Sequence, residues 1–322
     1  AKIAVLDPSK DASSLSLTSQ IAASRYFDIG KELHSYKEIE QVFREGKVKL
    51  AVVFPQHFAQ DLQHFNKAQV QLIADASDPN VATTLTNYAT AVIMDYQQRI
   101  TNDRKLPYTI NTELRMLYNP QLKGAYTFVP GVMAMVLMLV CTMMTAITIV
   151  REKESGTMEV MLVSPVRPLK IVVAKAMPYL LLSLLNITSI LVLSVFVLDV
   201  PIRGSIALLG FEAILFTITC LALGLLISSV TASQQTAMFI SLVGLFLPTI
   251  MLSGFMFPIE NMPLPLRTIS NLVPAKWFYH IAGSVMIKGL GIGAVWKETL
   301  ILAGMTMFLL FVAIKKFKIR LA

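Results

Sequence analysis

Residues 213–259 read AILFTITCLALGLLISSVTASQQTAMFISLVGLFLPTIMLSGFMFPI, 47 consecutive positions without a charged side chain. A bilayer core takes about 20 apolar residues per helix, so this stretch can cross twice. Its middle, Ser228-Ser229-Val230-Thr231-Ala232-Ser233-Gln234-Gln235-Thr236, is polar and reads as a turn, which splits it into helices over about 206–228 and 236–256. Outward from it, uncharged runs from Gly124 to Val150 and from Ala176 to Leu198 each make one span, about 127–150 and 171–198. A last run, Thr299 to Ile314, extended back through Trp296, makes a fifth at about 296–314. None is N-terminal, so none resembles a signal peptide. Composition agrees: 55% of residues are hydrophobic and 15% charged, mean hydropathy is +0.62, and soluble domains run nearer a quarter charged.

Charge separates two regions. Residues 1–118 hold 13 basic and 13 acidic side chains, while residues 119–322 hold 15 and 7, so the whole formal charge of +8 lies among the apolar runs. That location makes it a topology signal and not a nucleic-acid footprint. The link after the first span carries Arg151, Lys153, Arg167, Lys170 and Lys175, and the C-terminus carries Lys315, Lys316, Lys318 and Arg320. With both in the cytoplasm, nine basic residues of 119–322 lie inside and six outside, as the positive-inside rule asks. Five spans then put residues 1–118 on the outer side. Ala1 is not an initiator Met and Ile3-Ala4-Val5-Leu6 already reads as a strand, so a sixth, N-terminal span is expected ahead of this sequence. The expected fold class is a polytopic α-helical membrane domain, 119–322, joined to a mixed α/β extracytoplasmic domain, 1–118.

In the outer region, β-rich runs at Ile3–Leu6, Leu50–Phe54, Val70–Ala74 and Ile110–Leu117 alternate with helical patterns near 15–25, 37–45 and 56–65. Asp78-Pro79 supplies an N-cap and first-turn proline for a long helix to about Asp103. The two cysteines, Cys141 and Cys220, both fall in apolar runs, so the outer fold needs no disulfide.

Several chemistries find no support. The sequence has no G-x-x-x-x-G-K-[ST], G-x-S-x-G, H-E-x-x-H or C-x-x-C, so it does not itself hydrolyse a nucleotide through a P-loop. His57, Asp61 and His64 share one helical face as metal-ligand candidates, but Phe58, Leu62 and Phe65 share the same spacing. Packing of that apolar trio would leave the polar one solvated, and no metal or other cofactor is expected on this chain. Between Phe257 and Gly293, Pro258, Pro263, Pro265 and Pro274 break the chain, and Trp277, Phe278 and Tyr279 follow as an interfacial belt would. Irregular backbone at membrane depth must be buried in protein, so about 257–293 reads as two short re-entrant helices forming an outer plug.

The link at about 152–165 is the most informative stretch: Arg151-Glu152-Lys153-Glu154-Ser155-Gly156-Thr157-Met158-Glu159-Val160-Met161-Leu162-Val163-Ser164-Pro165. Met158, Met161 and Leu162 form an apolar stripe at i, i+3, i+4 on a short helix that Thr157 caps, Glu159 favours near its N-terminus and Pro165 helps end. Such a helix suits docking into a groove on a cytoplasmic partner; lying on the lipid interface suits it equally.

This segment resembles the Arg-Glu-(Lys/Arg)-Glu-x-Gly-Thr-x-Glu-x-Leu-x-x-Ser-Pro signature of ABC-2 type transporter permeases, with Met161 where a Leu is usual. Asp75-Ala76-Ser77-Asp78-Pro79-Asn80 with Asn87-Tyr88 resembles the end of the large extracytoplasmic domain of the drug-efflux-like subgroup. Leu225-Leu226-Ile227-Ser228-Ser229 with Gln234-Gln235, then Leu252-Ser253-Gly254, Pro258, Met262-Pro263, Pro274 and Lys288-Gly289, resemble its later helices and outer segment. The likeness covers nearly the whole sequence. It implies an exporter permease in the bacterial inner membrane that moves an amphipathic or apolar molecule, a drug or a lipid, outward. It also implies two cytoplasmic ATPase subunits holding ATP and magnesium, and a second permease subunit, identical or paralogous, with room for a periplasmic adaptor. Closure of the ATPases would push the link helix, with Glu152, Glu154 and Glu159 as polar contacts, Met158, Met161 and Leu162 as the buried face, and Gly156, Thr157 and Pro165 shaping it.

On this reading the first and fourth visible spans line the path, with Met135, Met138, Phe246 and Pro248 as candidates. Pro248, with Gly244 and Gly254, permits a kink near an outer gate. Fifteen of the 17 methionines lie in 119–322; flexible thioethers suit varied apolar ligands, and they suit lipid-facing or core filler too. Two other classes compete: an ion-coupled secondary transporter and a membrane-anchored ligand sensor. The first needs ionisable groups inside the membrane, where Glu212 alone qualifies, and it is expected to reach the interface or pair with Arg203 in a gating or structural role.

Overall fold

The computed structural model describes residues 1–104, 108–157, 168–259 and 262–319. The chain divides into two compact units, Ala1–Gly124 and Ala125–Ala322.

The first unit is a five-stranded mixed sheet in the order β2-β1-β3-β4-β5. Its strands are β1 (Lys2–Leu6), β2 (Asp28–Leu33), β3 (Leu50–Val53), β4 (Lys67–Asp75) and β5 (Thr109–Leu117). β1 pairs parallel with β2 and β3, β4 runs antiparallel to β3, and β5 is parallel to β4. Alternate side chains face opposite sides of a strand, and the two cores follow that rule. Ile3, Val5, Leu50, Val52, Val70 and Leu72 pack with residues of α1 (Ala12–Ala23), α3 (Phe58–Phe65) and α4 (Pro79–Arg104). Ala4, Leu6, Ala51 and Ile73 face Ile39, Val42 and Phe43 of α2 (Tyr36–Arg44).

One carboxylate ties two helix starts in this unit. Asp11 accepts from the N–H of Ser14 at 2.7 Å and from that of Ala59 at 2.8 Å, so it caps α1 and the first turn of α3 together. Burial alone would raise its pKa, but these N–H groups and the Ser9 hydroxyl outweigh it and hold Asp11 below the ordinary carboxylate value. At α4, Asp78 accepts from the N–H of Asn80 and Val81, the cap that the Asp-Pro pair announces. β2 departs from expectation. Its sequence, DIGKEL, lies at a sheet edge and is mostly exposed, so it has no apolar alternation to betray it.

Among the described residues the second unit holds five helices long and apolar enough to span a membrane: α5 (Ala125–Glu154), α6 (Pro168–Phe196), α7 (Ile206–Val230), α8 (Gln234–Leu252) and α11 (Ile292–Ile319). Two short helices, α9 (Leu264–Ser270) and α10 (Pro274–Met286), fill the stretch between α8 and α11. α8 stops at Leu252, short of the expected 256, because the chain turns at Ser253 and Gly254, where φ is +87°, a value glycine alone adopts freely. α5 and α7 meet at close range: a Cβ on Gly224 would stand 2.6 Å from the Thr142 carbonyl oxygen. Hydroxyls stitch the bundle as hydrogen bonds do in membranes. Thr142 donates to the Cys220 carbonyl at 3.0 Å, Thr219 and Thr306 are bonded at 2.6 Å, and Thr249 donates to the Met138 sulfur at 3.1 Å. Phe216 of α7 and Phe278 of α10 stack at 4.5 Å.

Candidate functional site

The end of α5 carries the Arg-Glu-Lys-Glu signature, and its local chemistry explains several letters of it. Gly156 has a φ of +69°, a left-handed value that glycine adopts without steric cost, and its N–H bonds the Lys153 carbonyl at 3.3 Å, the manner in which helices close on a left-handed residue. The Thr157 hydroxyl donates to the Glu152 carbonyl at 3.3 Å, and the Ser155 hydroxyl to that of Arg151 at 2.9 Å. Met158, Glu159, Met161, Leu162 and Pro165 lie outside the described residues.

Two side chains of this turn reach the α7–α8 connection. Lys153 Nζ donates to the carbonyl of Ser228 in the last turn of α7. Glu154 accepts from the backbone N–H of Gln234, the first residue of α8, at 2.8 Å, and its other oxygen accepts from the Gln234 amide side chain. Glu154, expected as a polar contact for an ATPase, engages the start of α8 within this chain. The reason is that the first N–H groups of a helix lack internal acceptors. Beneath these contacts Ala146, Val150, Ala237 and Ile227 form one apolar cluster.

Towards the opposite end of α8 lies an apolar pocket of about 490 Å³. Leu247, Pro248 and Met251 contribute from α8, Phe257, Pro258 and Met262 from the turn that follows, and Leu266 from α9. Of the candidate path residues, Pro248 lines this pocket. Met135 and Phe246 are half-buried elsewhere, and Met138 is buried with its sulfur on Thr249. Pro248 has no N–H, so the Gly244 carbonyl lacks its helical donor in the same half of α8.

Glu212 is fully buried between α7 and α11, where one oxygen accepts from the Thr299 hydroxyl at 2.7 Å and the other has no partner. This corrects the expected reach to the interface or to Arg203. Arg203 is exposed, and its backbone N–H bonds the Met286 carbonyl at 2.9 Å. The physical reason is helix phase: Glu212 and Thr219 stand seven residues apart on the face of α7 that meets Thr299 and Thr306. In the first unit His57 and His64 are exposed, and no three His, Cys, Asp or Glu side chains among the described residues are grouped to hold a metal ion. Phe65 is 75% exposed, so it does not join Phe58 and Leu62 in the core. The sequence offered little sign of Lys153 and Gln234 as partners across the bundle, because their contacts join residues some 75 to 80 positions apart.

A bundle of apolar helices, a charged turn at the end of its most apolar helix and a separate α/β unit together define a multi-pass membrane transport subunit. The chain belongs to the ABC-2 family of transporters, whose model, described as ABC-2 family transporter protein, matches residues 1–315. It is 32% identical over 298 residues to the probable multidrug ABC transporter permease YbhR of Escherichia coli, covering 92% of this chain and 81% of that protein. It is 31% identical over 291 residues to the probable multidrug ABC transporter permease YbhS of the same organism, covering 89% and 77%. A third relative, the inner membrane transport permease YhhJ, is 30% identical over 328 residues, covering 99% and 85%. The protein is thus the permease subunit of an ABC exporter, and membership of this family implies ABC ATPase subunits as partners.

Proposed function

We propose that this permease moves apolar or amphipathic molecules, drug-like compounds or lipids, out of the cytoplasm or the inner leaflet of a bacterial inner membrane. The observation that carries the substrate class is the pocket near Pro248, whose lining is aliphatic, thioether, proline and phenyl throughout. Such a lining gains from burying apolar surface, at about 25 cal/mol per Å², and offers no group that would select a charged solute. The names of the relatives YbhR and YbhS as probable multidrug permeases support the same class.

The link from Glu152 to Pro165 receives the push of cytoplasmic ATPase subunits, which hold ATP and magnesium, and a second permease subunit completes the transporter. The positive excess of the link and C-terminus supports a cytoplasmic position for both, with residues 1–118 outside, where an adaptor would meet them. The stretch at 257–293 closes the pocket on its outer side.

Two experiments test this reading. Replacing Met251 with Trp fills the pocket and should raise the KM for a lipophilic dye in vesicles holding the permease and its ATPase; an unchanged KM across dyes of different shape would remove the pocket from the path. A single cysteine at the exposed Gln63 should react with an impermeant thiol reagent in intact spheroplasts. The buried Cys141 and Cys220 give it a low background. Reaction only after lysis would put the α/β unit inside.

A further inference from the structure

We infer that Lys153 and Glu154 form a charged clasp that makes α8, the pocket-lining helix, move with the link that follows α5. The inference rests on the reading that the ATPase acts through that link, and it adds the route by which the push reaches the pocket.

The clasp meets two helix ends with the charge each prefers. The last carbonyls of a helix carry partial negative charge and the first N–H groups partial positive charge. Lys153 donates to Ser228 at the C-terminus of α7, and Glu154 accepts from the N–H and the side-chain amide of Gln234 at the N-terminus of α8. Both groups come from consecutive residues in the last turn of α5, so any displacement of that turn acts on both sides of the α7–α8 connection at once. Ser233 is already used to cap α8 from within, accepting the Thr236 N–H at 3.2 Å. Glu154 therefore supplies the contact that comes from another element.

The geometry also explains where a displacement goes. α5 and α8 run antiparallel in contact, with Ala146 and Val150 against Ala237 near the clasp and Met138 against Thr249 further along. From Gln234 to Pro248 is fourteen residues, roughly 21 Å of helix at 1.5 Å per residue. A push on the α5 end thus reaches the pocket along α8, whose helical ladder lacks the bond from Pro248 to the Gly244 carbonyl just before the pocket. Glu154 and Lys153 act through α8 and touch no substrate, so they are positioning residues.

A charge exchange tests the clasp. The full chain, assembled with its ATPase partner in vesicles, carries Glu154→Lys, Gln234→Glu or both, with spin labels on cysteines at the exposed Ser155 and Met238. In the unaltered pair the label distance stays the same with and without ATP. Glu154→Lys should broaden that distance and lower ATP-driven dye uptake about tenfold, the order expected when a coupling contact is lost. The KM for the dye and the amount of co-purified ATPase should stay as they were. The double variant sets a carboxylate on α8 opposite the new ammonium; because lysine cannot accept from the residue 234 N–H, it should recover part of the distance and part of the uptake. Three results would overturn the clasp: full uptake by Glu154→Lys with an undisturbed distance, a double variant that recovers neither, or loss of the ATPase from Glu154→Lys, which would make Glu154 a docking contact. Failure of the exporter reading would look different. The unaltered complex would take up no dye with ATP, while the label distances would still decide the clasp.

Discussion

α5 and α7 differ from α6, α8 and α11 less in hydropathy than in what surrounds them. The apolar windows of α5 and α7 are 50% and 56% buried within the chain, while those of α6, α8 and α11 are each 17% buried, although α6 is almost as apolar as α5. Apolarity reports that a helix can sit in a bilayer; it does not report whether protein or lipid covers it. What separates the two groups is fine detail. The buried pair owes its contact to a glycine, two threonines and a cysteine carbonyl, whereas α8 turns Met238, Phe239, Leu242, Leu247 and Met251 outward. The buried pair therefore forms the packed centre of the unit. The outward helices keep large apolar side chains that the rest of the described chain leaves uncovered.

The contrast can be broken most forcefully at Gly224. Its Cβ would collide with the backbone of Thr142, which cannot turn aside as a side chain end can. Gly224→Leu should cost about 3 kcal/mol, the upper range for overpacked cores, seen as unfolding at lower SDS fraction in mixed micelles. Unaltered unfolding would mean that α5 and α7 are not in contact as described.

The next effect belongs to the α/β unit. Asp11→Ala removes caps from two helices and should cost about 1–2 kcal/mol, read by hydrogen exchange in α1 and α3 of the intact protein. The pH dependence has a definite sign. Because the folded pKa of Asp11 is lowered, its contribution is present above the unfolded carboxylate value near 3.9 and lost as pH falls through the folded value. The variant should therefore show a shallower acid limb. An equal slope in both proteins would remove Asp11 from this role.

A smaller change sharpens the comparison from the other side. Gly304 of α11 has open space where a Cβ would stand, so Gly304→Ala should leave packing intact. It should stabilise the helix by about 0.5–1 kcal/mol through backbone entropy alone. Destabilisation there would show that α11 is covered in the working protein.

Glu212→Gln should have the least effect on transport. The amide oxygen can still accept from Thr299, and only the titratable charge goes. ATP-driven uptake should persist. Uptake driven by a pH gradient alone, and abolished by this substitution, would favour an ion-coupled transporter.

The spans were legible because a bilayer imposes length and apolarity on contiguous residues, and the capped start of α4 because Asp78-Pro79 acts within four positions. Strand β2 escaped because an exposed edge strand has no pattern to keep. Leu252 ends α8 earlier than its apolar letters suggest because Gly254 needs a left-handed backbone. The charged turn at 151–157 was legible as a motif and yet its partners were not. Lys153–Ser228, Glu154–Gln234 and Glu212–Thr299 join residues that only the packed bundle brings together.

The most direct test of the account is dye uptake into inside-out vesicles prepared with the permease alone, with its ABC ATPase, and with an ATPase that binds but cannot hydrolyse ATP. The account predicts uptake only where the active ATPase and ATP are both present, with no uptake from an imposed pH gradient. Uptake by the permease alone under that gradient, at the rate seen with the ATPase, would contradict it.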